Sequence, residues 1–235
     1  MQAGYTHTHI LKPTWSRVMH RMHTIGNVVQ HFQNSLASIT SEGDYPRLIT
    51  SAAEDCTSTL DGSQLWQLDT WQQGIVKVNA KLHQAQFSFS SASGEIFHTI
   101  TLTPRSQWHC FECLLKLFES SRIEHAIENE PAQSAENYAV NQDIAHVAKA
   151  VNREIIQGKK IICSARLADG SSSIANLETK SLMTQFGRIA LKNGNAQLQI
   201  APTKVADIEI KKRSNKFITS LYDSKFQPML QLEAM

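Results

Sequence analysis

The sequence predicts an α+β fold built as a tandem structural repeat, with two mostly antiparallel β-sheets, each carrying packed helices. Three observations predict it. Short runs alternate apolar and polar residues with period two and end at Ser/Gly, Asp-Gly or Asn-Gly breaks, the pattern of strands joined by tight turns. Few stretches place apolar residues at helical spacing. The apolar positions of the first half also recur in the second at one constant shift: Ser220 lies 132 residues after Ser88, and Leu232 lies 132 after Ile100. A pattern that returns at a fixed offset marks a copied unit.

Taken in order, residues before Lys12 read as a loose terminus with His7 and His9 exposed. Pro13, Thr14 and Trp15 open a helix to about Thr24, capped by Thr14, with Trp15, Val18, Met19 and Met22 as its apolar stripe and Gly26 as its stop. The period then changes to two. Val28 to His31, Leu36 to Thr40, Arg47 to Ser51, Leu65 to Leu68 and Ile75 to Val78 read as strands, with a turn at Glu42-Gly43-Asp44. The stretch from Ala85 to Thr103 is a hairpin: Phe87 and Phe89 alternate on one arm, and Ile96, His98 and Ile100 share a face of the other. Pro104 opens a helix whose broad apolar face is Trp108, Phe111, Leu114, Leu115 and Phe118.

Residues 123–137 form an acidic linker between a first sheet-plus-helix repeat, 1–122, and a second, 138–235. Asn141 caps the next helix, with Ile144, Val147, Ala148, Val151, Ile155 and Ile156 inward and Gly158 as its stop. Strands resume at Ile161 to Arg166, Ser173 to Leu177, Gly187 to Leu191, Gln197 to Ile200 and Ala206 to Ile210, and a second hairpin spans Lys216 to Glu233. Gly26 overlays Gly158, Val29 overlays Ile161, Trp66 and Leu68 overlay Leu198 and Ile200, and Val76 and Val78 overlay Ile208 and Ile210, all without a gap.

Composition limits the function. The chain has 235 residues, and a hydrophobic fraction of 41% suffices for a core. A net charge of +2 lacks the basic footprint of a nucleic-acid binder. No apolar run reaches bilayer length, so no membrane partner is expected. The start MQAGYTHTHILKPTW shows no basic region followed by an apolar one, and four cysteines in a chain of this size read as reduced thiols. Together these predict a cytoplasmic protein. Ten histidines leave metal or haem binding open.

The order of several short motifs resembles the HemS/ChuS and ChuX/HutX haem-utilisation families. In the first half these are Gly26-Asn27-Val28, Glu42-Gly43-Asp44-Tyr45, the lone Trp71, Gly94-Glu95-Ile96-Phe97-His98 and the helix from Trp108 to Phe118. In the second they are Thr219-Ser220-Leu221-Tyr222-Asp223 and Lys211-Lys212-Arg213. The resemblance covers roughly residues 15–120 and 142–235. It implies a pair of sheet-and-helix repeats and a cytoplasmic haem-binding, haem-trafficking role in iron acquisition, with haem as cofactor. Some family members are reported to open the macrocycle and free iron, so a haem-degrading iron-release enzyme is an alternative.

This chain departs from the family pattern at Ser91, where the family has aspartate, and at Thr99, where it has lysine. Ser224-Lys225 replaces a glycine, and the arginine usual before Trp71 is missing. The stretch from Ser121 to Asn141 is too short for the region that supplies the family's ligating histidine. A non-enzymatic interaction or scaffold module that has lost the haem site is therefore the other alternative, with a protein partner or a second copy of the chain on an exposed sheet edge or on the sheet face not covered by helix.

A haem site needs an imidazole or tyrosinate on iron, an apolar slot and cations for the propionates. His98 matches the hairpin histidine of the family. His31 lies on the strand where ChuX-like proteins place theirs, two residues from the matching Gln33. His146, on the helix after the linker, is the nearest substitute for the missing ligand. For each, a packed structural histidine is the commoner role of such a residue. Arg47, Lys211 and Arg213 can meet propionates or remain solvated charges. Cys110-Phe111-Glu112-Cys113 has CxxC spacing, but a helix starting at Pro104 places both thiols mid-helix, where core packing is expected. His20 and His23 at i, i+3 read as exposed helix residues rather than metal ligands. Glycine-rich phosphate loops and G-x-S-x-G motifs are absent from the sequence.

Overall fold

The computed structural model describes residues 7–50, 56–59, 62–79, 82–124, 142–157, 160–177, 182–185, 187–213 and 216–234. These residues form antiparallel sheets and three α-helices, an α+β fold. They group into two compact units. The first comprises Met1–His31, Glu42–Asp61 and Trp66–Ala135; the second comprises Phe32–Ser41, Gly62–Leu65 and Glu136–Met235.

In the first unit, β1 (His7–Leu11) precedes α1 (Trp15–Met22) and β2 (Gly26–Gln33). The chain leaves into β3 (Ala37–Asp44) and returns through β4 (Leu48–Thr50), β5 (Cys56–Thr59) and the end of β6 (Gln64–Gln67). The long hairpin strands follow: β7 (Trp71–Asn79), β8 (Gln84–Ser91) and β9 (Ile96–Ser106), then α2 (Trp108–Phe118) and β10 (Glu119–Glu124). Across the sheet the order is β10-β1-β7-β8-β9-β2. Alternation fixes its faces: Phe87, Phe89, His98 and Ile100 all point into the core, with Phe89 directly opposite His98. Both helices bury the stripe their spacing dictates, Trp15, Val18, Met19 and Met22 on α1 and Phe111, Leu114, Leu115 and Phe118 on α2. Phe111 of α2 meets Phe87 edge to face at 5.7 Å.

The second unit holds α3 (Gln142–Gln157), β11 (Ile161–Arg166), β12 (Ser172–Leu177), β13 (Met183–Gln185), β14 (Arg188–Asn193), β15 (Ala196–Ile200), β16 (Asp207–Arg213), β17 (Lys216–Tyr222) and β18 (Pro228–Ala234). Strands run in the order β16-β17-β18-β11-β12, and β12 then pairs with Gln64 and Leu65 of β6. The series β13-β14-β15 ends against Ala37–Ser41 of β3. Asn34 secures that inserted segment. Its amide donates to the carbonyls of Arg166 and Met229, both at 2.8 Å, while its oxygen accepts from the backbone N–H of Leu36 and Ala37.

Strand starts recur at the shift read from the sequence: β5, β6, β8 and β9 begin 132 residues before β14, β15, β17 and β18 respectively. No helix among the described residues is long and apolar enough to cross a membrane.

Four local expectations need correction. His7–Leu11, expected to belong to a loose terminus, is strand β1, seated between β10 and β7, because its alternation finds an edge to pair with on each side. Thr14 precedes α1 but supplies no side-chain cap. Pro104 does not open a helix. β9 continues through it, held by the Ser106 hydroxyl on the Thr103 N–H at 2.8 Å, and the Gln107 N–H donates to the Ile25 carbonyl at 2.7 Å just before α2 begins. Glu42-Gly43-Asp44 is the end of β3 rather than a turn. Most of the expected linker, Asn141 and Gly158 lie outside the described residues, as do the side chains of Ile144, Ile155 and Ile156.

Candidate functional site

In the first unit the hairpin carries His98 into an aromatic cluster. The imidazole is 1% exposed and sits 4.4 Å from the Trp66 ring, stacked on Phe89 at 6.1 Å and 6.5 Å from Trp71. Trp15 extends the cluster, donating its indole N–H to the Trp71 carbonyl at 2.8 Å. β7 gives way to it at Gly74, where a Cβ would stand 2.7 Å from the Trp15 ring. No hydrogen bond of full geometry reaches either ring nitrogen of His98, although the His31 backbone lies close enough to act on the ring. Burial drives its pKa down to about 3; the nearby His31 backbone opposes the fall and the His31 charge reinforces it. His98 is therefore a neutral imidazole with a free lone pair, the electronic form an iron ligand requires. The surrounding rings are in contact, so a macrocycle reaches this nitrogen only if they separate.

Of the other expected residues, His31 is half-buried on β2 beside His98, so the structure brings these two together. Arg47 is exposed just before β4. In the second unit His146 is exposed on α3, and Arg213 closes β16 opposite Lys216, its side chain outside the described residues. Lys211 is engaged by Glu209 at 2.9 Å, and Tyr222 donates to the same carboxylate at 2.7 Å. The Lys211 ammonium and the Tyr222 hydroxyl hold the Glu209 carboxyl below its ordinary range.

Both thiols of the CxxC pair depart from the core expectation. α2 starts at Trp108, so Cys110 lies in its first turn; it is half-buried and Cys113 is exposed, 3.7 Å from the His109 ring. The buried thiol is Cys163, whose pKa burial pushes up. His9 is buried rather than exposed, with Nδ1 2.8 Å from the Glu119 carboxylate. His23 is tied to the His20 carbonyl at 2.7 Å. No three His, Cys, Asp or Glu side chains converge as a metal site among the described residues.

One cation escapes a reading by motif. Arg153 of α3 lies 4.3 Å over the Phe217 ring, and its Nε and Nη2 are buried without a partner. A lone arginine on a helix flank carries no motif, and the phenylalanine it covers lies 64 residues away in the sequence.

No protein family matches the sequence, and no characterised protein matches it at a significant level. Solved structures do match the fold. The chain is similar to holo-PhuS, described as a heme-binding protein from Pseudomonas aeruginosa, at a TM-score of 0.77 and 14% identity, covering 97% of this chain and 81% of that one. It is similar to apo-PhuS at a TM-score of 0.75 and 13% identity, with the same coverage of both chains. It is also similar to ChuS, described as a heme degrading enzyme of Escherichia coli O157:H7, at a TM-score of 0.70 and 12% identity, over 97% and 81%. The fold is the PhuS/ChuS fold. Its mixed α+β character and antiparallel sheets follow the expectation from the sequence.

Proposed function

We propose that this chain is a cytoplasmic haem-binding protein that carries haem in iron acquisition. The observation that carries the reading is the likeness over 97% of the chain to a protein described as heme-binding. The residues fit the chemistry in part. His98 offers a neutral nitrogen in an apolar setting, His31 stands beside it, and His146 offers an accessible one; Arg47 and Arg213 are the cations assigned to propionates. Four free cysteines suit a reducing compartment. We read the recurring strand starts as a duplicated unit, with copies over 1–122 and 138–235.

Haem, when bound, supplies an iron centre and two carboxylates. The chain's part is to offer an imidazole, enclose the ring and neutralise the propionates. Titrating the purified chain with haemin tests this. A saturable Soret band at one haem per chain or per dimer is the expected result, and its loss in His146→Ala or His98→Ala names the ligand. Absence of any saturable change ends the reading.

A second reading is favoured by the closed packing of Trp66, Phe89 and Trp71 around His98. In it the fold persists as a non-enzymatic interaction module, for a protein partner or a second copy of the chain. It predicts a flat haemin titration together with a concentration-dependent mass in sedimentation.

A further inference from the structure

We propose that Arg153, seated on Phe217 beside Lys212, is a receptor for a carboxylate. Two atoms carry the argument. Nε and Nη2 form the side-on edge of the guanidinium fork, which takes both oxygens of one carboxylate in two parallel hydrogen bonds. Both are buried and unpartnered, and no carboxylate of a described residue is paired with them. A charged fork removed from water without acceptors is costly, and an anion in the fork removes the cost.

The surroundings hold the fork ready. Phe217 stacks under it at 4.3 Å, which fixes the plane without consuming an N–H. Lys212 is the cross-strand partner of Phe217, and its ammonium stands 6.0 Å from the same ring, a second positive charge on that face. Lys211 is on the opposite face of β16, already engaged by Glu209. A carboxylate in the fork therefore has the Arg153 charge directly and a second cation, Lys212, 6.0 Å from the ring that the fork lies on.

His146 lies seven residues before Arg153 on α3, on the same flank of the helix and about 10 Å along its axis. If the haem reading holds, that spacing allows one molecule to meet both, with a propionate in the fork. The carboxylate site does not depend on that reading; only the source of the carboxylate does.

The test follows the Arg153 Nε–H resonance in ¹⁵N-edited spectra of the full chain, assigned by its absence in Arg153→Lys. Three titrants are added separately: succinate, diamagnetic gallium protoporphyrin IX, and the dimethyl ester of that porphyrin. The expected result is a saturable shift with succinate or with the free-acid porphyrin and none with the ester. Affinity should fall at least about tenfold in Arg153→Gln, as for loss of a charge-assisted pair. A shift with succinate while the porphyrin fails to bind retains the site, assigns it to a free carboxylate and removes the haem reading. Equal binding of acid and ester with the resonance unmoved overturns the site and leaves the haem reading standing. A resonance that no titrant moves overturns the site as well.

Discussion

His98 makes the aromatic cluster sensitive to pH. Its folded pKa of about 3 lies below the ordinary value of 6.5, so between these limits the unfolded chain binds a proton that the folded chain refuses. This contribution is fully present above pH 6.5 and is lost as pH falls toward 3, with a slope of at most about 1.4 kcal/mol per pH unit. Urea midpoints measured from pH 7 to pH 4.5 should fall for the native chain, and His98→Phe should flatten that fall. An equal slope in both proteins would remove His98 as its cause. Gly74 is the second sensitive position. Its missing side chain admits the Trp15 ring, and a methyl there would meet the ring at 2.7 Å. Gly74→Ala should cost about 1–3 kcal/mol in urea unfolding through overpacking. A change within error would mean that Trp15 moves aside freely.

Among the elements, the short link between β2 and β3 depends most on one residue. Asn34 makes four hydrogen bonds, two outward to the carbonyls of Arg166 and Met229 and two inward that shape the turn. Asn34→Ala leaves those carbonyls and N–H groups without it and should cost about 2–4 kcal/mol in chemical unfolding. Asn34→Asp keeps the inward acceptor but loses the donating amide, so it should recover only part of the loss. Full recovery would show that the outward bonds contribute nothing. β1 illustrates the limits of alternation. His7, Thr8 and His9 look like a polar tail until β7 and β10 are placed beside them, after which His9 is buried against Glu119.

Across the whole molecule, the second unit is built from three separate stretches of chain. β15 is covered by Ala37–Ser41 and β12 by Gln64 and Leu65, so the C-terminal part owes two strand partners to residues far upstream. A fragment spanning 138–235 would newly bare the edges of β12 and β15, and such edges pair readily with other chains. Expressed alone, it should self-associate and fail to unfold as a cooperative monomer in sedimentation and urea titration. A monomeric fragment with a single sharp transition would show that the upstream strands are dispensable.

The amino-acid sequence by itself determined the local periods. Period two specified most of the strands because one sheet face is buried, the apolar stripes specified the buried faces of α1 and α2, and the shift of 132 residues coincides with the starts of four pairs of strands. These signals are local, so neighbouring residues suffice to read them. Only the tertiary structure decided which edges β1 and β10 meet, that β9 outlasts Pro104, that β12 and β15 take partners from upstream, and that Arg153 lies over Phe217 with Nε and Nη2 buried and unpartnered. Each of those depends on residues distant in sequence competing for the same buried space or hydrogen bond, and that competition is resolved only when the chain is folded.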